Sequence, residues 1–265
     1  MRVVDLKKNY GDHEVLKGIT FDVYRGLTNV LIGASGSGKT VLLRQLTRLE
    51  QPDSGRIEFD GQDIVPLNEE QLLSVRRKFG MVFQDSALFD SMDVFDNVAF
   101  PLREYRSDLP RDEIAKRVQS HLDALGVGAA VRKLPAQLSG GMKKRVAVAR
   151  ALIMEPEILL YDEPTRGLDP IISRTVDQLI ESTRKEFSVT SILISHDMRS
   201  VLGIAQRVTL LMDGKVEASL PVDDFVRSDN PRVQRFLKAS GIDLEKWKKG
   251  QGYGDTTSKQ ALPAS

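Results

Sequence analysis

Residues Gly33 to Thr40 read GASGSGKT, preceded by the apolar run NVLI and followed by VLLRQLTRL, whose apolar residues have helical spacing. A turn this rich in glycine between a strand and a helix leaves few folds open. Its backbone N–H groups converge on one point, and the helix N-terminus adds partial positive charge there, so the turn suits a phosphate chain. Gly33, Ala34, Ser35, Gly36, Ser37 and Gly38 supply backbone to this cradle. Lys39 is placed to reach the β and γ phosphates, and the Thr40 hydroxyl to hold Mg²⁺.

Other apolar runs end in polar residues in the same way. MVFQ spans 81 to 84, ILLYDE 158 to 163 and SILISHD 191 to 197. Runs of this length between helical stretches predict buried parallel strands whose functional groups gather at their carboxyl ends. Asp162 then stands where it can hold Mg²⁺ through water. Glu163, beside it, is placed to accept a proton from an attacking water. Adjacent carboxylates at a strand end repel each other unless a cation compensates, which points to a metal nearby. His196 follows SILIS and suits a γ-phosphate contact, although a lone histidine at such a place also serves as a structural residue. His13 and His121 have no comparable setting and are expected at the surface.

A second glycine turn opens the stretch LSGGMKKRVAVARAL, Leu138 to Leu152. Ser139 and the N–H groups after it form another anion site at a helix start. Lys143, Lys144 and Arg145 crowd the first turns, where the helix dipole disfavours cations. A bound anion would relieve that cost; the alternative is a solvated basic helix start. Between Gln84 and this turn, RDEIAKRVQSHLDALGV places Ile114, Val118, Leu122 and Leu125 on one stripe, so the intervening segment is expected to be mostly helical. If both turns serve one γ-phosphate but cannot meet within one chain, two chains must pair head to tail and close two shared sites.

Composition narrows the class. The chain has 265 residues, 41% hydrophobic, enough to fill a core, and a net charge of +1. That balance gives no basic field for nucleic acid. The absence of cysteine excludes disulfides and thiol metal sites and suits the cytosol. MRVVDLKKNY lacks an apolar signal core, and no run approaches the roughly 18 apolar residues of a membrane span.

Taken in this order, the motifs resemble the ATP-binding cassette (ABC) family over essentially the first 220 residues. The resemblance implies an α/β fold: a P-loop, RecA-like core with an antiparallel β subdomain and an inserted α-helical subdomain. The nucleotide-binding domain would span 1–222, with the insert at about 96–150, and a C-terminal helical extension and disordered tail would span 223–265. ATP and Mg²⁺ are the implied cofactors. Tyr10 resembles the aromatic that stacks on adenine. Gln84 is similar to the glutamine that contacts Mg²⁺ and water. Leu138, Ser139, Gly140 and Gly141 match the signature that closes on ATP, with Met142 where most members have Gln. Asp162 is the implied magnesium ligand, Glu163 the base and His196 the switch. Asp169, in GLDP, lies in the loop that links the two sites, and Arg166 stands where many cassettes have Ser.

DSALFDSMDVFDNVAFPLRE, Met142 and the NPRVQRFL tail further resemble the ATPases of bacterial Mla-type phospholipid transporters. This implies a homodimer on the cytoplasmic face of the inner membrane, beneath multi-spanning permease subunits, with an MCE-domain protein beyond them and a STAS-domain partner. The rivals are an importer ATPase for a small polar solute and a soluble ATP switch. The switch is disfavoured because the two glycine turns lie about a hundred residues apart without sustained heptads; ribosome-acting relatives carry two cassettes per chain. Two segments stay open between alternatives. Leu88, Phe89, Met92, Phe95 and Phe100 either line a groove for a permease helix or fill the helical core, about half being expected in the core. Val233, Phe236 and Leu237, followed by Trp247, either pack on their own domain or hold a partner.

Overall fold

The computed structural model describes residues 1–242. The expectations for Trp247 and for the polar tail GQGYGDTTSKQALPAS lie outside the described residues. Strands β1 (Arg2–Tyr10), β2 (His13–Asp22) and β3 (Thr28–Ile32) precede helix α1 (Lys39–Leu46). Then come β4 (Ser54–Phe59), β5 (Gln62–Asp63), α2 (Glu69–Arg76) and β6 (Phe79–Val82). Three helices follow, α3 (Val94–Tyr105), α4 (Arg111–Ala124) and α5 (Gly140–Leu152). The chain returns through β7 (Ile158–Asp162), α6 (Pro170–Glu186), β8 (Thr190–Ile194) and α7 (Met198–Ile204). It then runs through β9 (Arg207–Met212), β10 (Lys215–Pro221), α8 (Val222–Arg227) and α9 (Pro231–Ala239).

These strands make two sheets. The smaller is antiparallel in the order β2-β1-β4-β5, and the larger runs β10-β9-β3-β8-β7-β6. Within the larger sheet β9, β3, β8, β7 and β6 are parallel, and β10 joins as an antiparallel edge. Parallel order sets the carboxyl ends of β3, β8, β7 and β6 along one rim, so the segments that follow them become neighbours.

The parallel strands are buried on both faces, and alternate residues serve two apolar layers. Val30 and Ile32 face the helical layer while Leu31 faces the smaller sheet. Leu159 and Tyr161 oppose Ile158 and Leu160 in the same way. Each such side chain contributes about 1.5–3 kcal/mol relative to exposure, so a one-residue register slip would misplace a whole row.

The hairpin expected at Asp213-Gly214 forms, with φ of 51° and 77° at its two central residues. Left-handed backbone at both is what a two-residue type I′ turn requires. The Gly214 carbonyl accepts from Lys17 N–H at 2.8 Å, tying the turn to β2. A Cβ on Gly214 would sit 2.5 Å from the Val15 carbonyl, so only glycine allows that approach.

In the helical segment the α4 stripe is buried as its spacing requires, with Ile114, Val118, Leu122 and Leu125 each 7% exposed or less. The aromatic run before it divides. Leu88 and Phe95 pack against the helical core, whereas Phe89 is 41% exposed and meets Phe100 at a ring separation of 5.0 Å. His121 departs from the surface expectation. Its ring stacks on Phe187 at 5.6 Å, a contact that joins segments 66 residues apart and has no local signature, and its Nδ1 lies 2.9 Å from the Arg117 carbonyl. Beyond β10, Phe225, Val226, Val233 and Leu237 are fully buried in the helical core layer. Own-domain packing therefore accounts for that stripe.

Candidate active site

The first glycine turn closes tightly on the sheet. Gly33 has φ 156°, and a Cβ there would lie 2.2 Å from the Leu211 carbonyl and 2.6 Å from Ser37 Oγ. Gly38, at φ 98°, caps α1, and a Cβ there would lie 2.9 Å from the Leu16 side chain. Within this loop Lys39 is only 7% exposed, and its Nζ donates to the Gly33 and Ala34 carbonyls, both at 2.9 Å. Burial lowers the Lys39 pKa, opposed by the Glu163 and Asp162 charges. A cation held by neutral carbonyls in a glycine cradle is matched to an anion of several charges.

The turn forms one wall of a cavity of about 510 Å³. Gly33, Ala34, Ser35, Gly36, Gly38, Lys39 and Thr40 line it from the cradle side, with Glu163 and His196 from the ends of β7 and β8. Tyr10, Ser37, Gln84, Asp162 and Asp169 stand outside its walls. Val15, Val41, Arg166, Phe236 and Ser240 complete it. The helical stripe of α9 signals a buried face, yet nothing local shows that Phe236 and Ser240 border a turn two hundred residues earlier.

Glu163 adopts left-handed backbone, φ 45°, just past β7, and its N–H donates to the Ile194 carbonyl at 3.0 Å. Its Oε2 lies 3.3 Å from both His196 Nδ1 and Arg166 Nη1. Neither contact is aligned as a hydrogen bond, so this buried oxygen retains its acceptor capacity. Burial raises the Asp162 pKa, and the Glu163 charge adds to it. Two crowded carboxylates are the state a divalent cation would relieve. With one carboxylate, one hydroxyl and one amide available from Asp162, Thr40 and Gln84, the residues fit Mg²⁺, which keeps water and phosphate oxygens as its remaining ligands.

The second turn lies elsewhere. Ser139 caps α5, its Oγ accepting from Met142 N–H at 3.3 Å, and no residue from Leu138 to Gly141 lines the cavity. Two of the cations after it have partners within the chain. Lys144 Nζ donates to the Gln84 carbonyl, and Arg145 Nη1 donates to the Leu125 carbonyl at 2.9 Å. Backbone carbonyls thus hold both of these cationic ends. Asp169 caps α6, accepting from Ile171 and Ile172 N–H at 2.9 and 3.0 Å, and leaves Ile171 79% exposed beside it.

Helix α6, which follows Asp169, meets α7, which follows His196, through the Ser200 hydroxyl donating to Asp177 Oδ1. Burial pushes the Asp177 pKa up to about 6 from 3.8, the hydroxyl partly opposing and Asp197 adding to the rise. Because the folded-state pKa is the higher, the native chain holds this proton more tightly. The stability it contributes is full below pH 3.8 and is lost as pH rises through about 6. Asp177→Asn should therefore stabilise the chain at pH 7.5 by up to about 2–3 kcal/mol, read as a higher thermal midpoint, and bring little gain at pH 4. Equal gains at both pH values would contradict this assignment.

The sequence profile of the ABC transporter family matches residues 16–166, a span that holds the cradle, Gln84, the second turn and the Asp162–Glu163 pair. The chain belongs to the ABC transporter family. Over 238 residues this cassette is 39% identical to the intermembrane phospholipid transport system ATP-binding protein MlaF of Haemophilus influenzae, covering 90% of each chain. It is 36% identical over 242 residues to the probable ribonucleotide transport ATP-binding protein mkl of Mycobacterium leprae, covering 91% of this chain and 70% of that one. Among solved structures it resembles the ATP-binding cassette MJ0796, a dimer in a post-hydrolysis state bound to ADP and Pi. The TM-score is 0.73 at 30% identity, over 83% of this chain and 98% of that one. The ABC cassette described here is an ATPase of that family, with the α/β architecture its relatives share.

Proposed function

We propose that this cassette is the ATPase of a phospholipid transporter, working as a head-to-tail homodimer in which each ATP lies between one chain's cradle and the other's signature turn. The observation that carries the lipid assignment is its 39% identity to MlaF across nine-tenths of both chains. The dimer rests on the separation of the two turns within one chain and on the dimeric state of MJ0796. Lys39 and the cradle N–H groups bind the phosphates, Tyr10 offers a face to the base, and Asp169 orders the loop between the sites. Glu163 takes the proton of the attacking water, and His196 contacts the γ-phosphate. Thr40, Gln84 and Asp162 would hold Mg²⁺, which when bound neutralises charge developing on the phosphate oxygens.

No helix among the described residues is long and apolar enough to cross a membrane. In the proposed assembly the permease is a separate chain, and the cassette is peripheral on the cytoplasmic face of the inner membrane. MCE-domain and STAS-domain partners belong to the same proposal. Phe83 and Phe89, 42% and 41% exposed, border the loop after Gln84 and suit the apolar face of a short permease helix. The complex purified from co-expressed membrane partners should carry extractable phospholipid. Phe89→Asp should leave the cassette folded and nucleotide-competent but lose the permease on co-purification. A lipid-free complex whose ATPase responds to a nucleotide, amino acid or sugar would transfer the assignment to the polar-solute importer.

A further inference from the structure

We propose that Lys144 and Arg150 are positioning residues that lock the Gln84 loop to the signature helix, so that Gln84 and Ser139 move as one body. The inference rests on the roles given above to Gln84 and Ser139 at the ATP site. Lys144 is 8% exposed, and its Nζ donates to the Gln84 carbonyl and, at 3.5 Å, to that of Phe83. Two turns along the same helix, Arg150 Nη2 donates to the Ser86 carbonyl at 3.0 Å and Nη1 to that of Ala87 at 2.8 Å. Carbonyls of four residues between 83 and 87 are thus taken by two side chains of α5.

The cost of this arrangement argues for a purpose beyond folding. Among the described residues neither cation has a carboxylate in ion-pair reach, and the Lys144 side chain is buried. Charges desolvated against neutral carbonyls are expensive, and apolar side chains of similar volume would serve stability as well or better. The carbonyls that Arg150 takes belong to Ser86 and Ala87, whose φ values of 63° and 46° are uncommon for residues other than glycine. The loop thus holds a shape that it would not keep by local preference, and the signature helix imposes it. Arg150 also lies 5.7 Å from the ring centroid of Phe89, so the proposed permease contact bears on the same clamp.

The test is a double-mutant cycle in the full chain, read as kcat and as nucleotide Kd. Lys144→Met should keep the thermal midpoint and leave Kd within about twofold, while kcat falls roughly 10- to 100-fold through misplacement of Gln84. In a Gln84→Ala background the same substitution should cost less than about twofold further, because the group it positions is gone. Lys144→Gln, which keeps a donor, should recover part of the loss. If Lys144→Met fails to fold, Arg150→Lys, which offers one donor group in place of a fork, enters the same cycle with the same expectation. Equal losses in both backgrounds, or unchanged kcat in the single variant, would overturn the clamp. A Gln84→Ala chain with wild-type kcat would overturn it at its premise, by removing the glutamine from the site.

Discussion

Glu163→Gln should lower kcat by roughly 10²–10⁴, the usual loss when a general base is removed, while nucleotide still binds. The amide keeps the size of the side chain and can still approach His196 and Arg166, which lie 3.3 Å from the carboxylate oxygen, but it cannot take up a proton. ATP-bound dimer should therefore accumulate, visible as a nucleotide-dependent shift in sedimentation. A purified variant that turns over within about threefold of wild type would remove Glu163 from that role. The geometry favours the large effect. Glu163 is the carboxylate that lines the cavity, and its oxygen without a hydrogen-bond partner is the one buried beside His196.

A mixture of Lys39→Ala and Ser139→Arg chains should hydrolyse ATP although each alone is nearly inactive. In the mixed dimer one site collects both defects, while the other pairs an intact cradle with an intact signature turn. Random pairing at equal concentrations should restore roughly a quarter of wild-type activity. Activity equal to the mean of the parents would contradict shared sites. The sequence offers an independent check because it contains no cysteine. Cysteines introduced at Ser35 and Gly140, the latter with open space around its missing Cβ, should be joined by a short bifunctional maleimide between chains when ATP is present. Joining within a monomer would place both turns on one site.

Features whose cause is local were legible before any coordinates. The cradle, the hairpin at Asp213-Gly214 and the α4 stripe each follow from backbone freedom or side-chain period within about a dozen residues. The ends of β7 and β8 were readable for the same reason, and parallel pairing then brought Glu163 to His196. What escaped depends on distant backbone. Lys144 looks like a helix-start cation until Gln84 arrives sixty residues away with a carbonyl. Arg166 is visible as a departure from the family pattern, but its approach to Glu163 depends on the turn after β7. Phe236 and Ser240 join the cavity only because β10 folds back beside β9 and carries α9 with it.

In the role proposed for it, Tyr10 would bear on which triphosphates the cassette accepts. Its hydroxyl donates to Glu50 Oε1 at 2.5 Å, Lys8 lies 5.6 Å from the ring centroid, and the residue remains 46% exposed. A ring whose hydroxyl proton is engaged by Glu50 offers a base its flat face and no hydrogen-bond donor. Stacking depends on overlap and polarisability, which adenine and guanine share, and hardly on the amino and carbonyl groups that distinguish them. As a base platform, Tyr10 would not by itself tell one purine from the other. As far as this contact goes, GTP would then compete with ATP in proportion to its concentration, and the preference between them would be set by the surrounding nucleotide pool rather than by Tyr10.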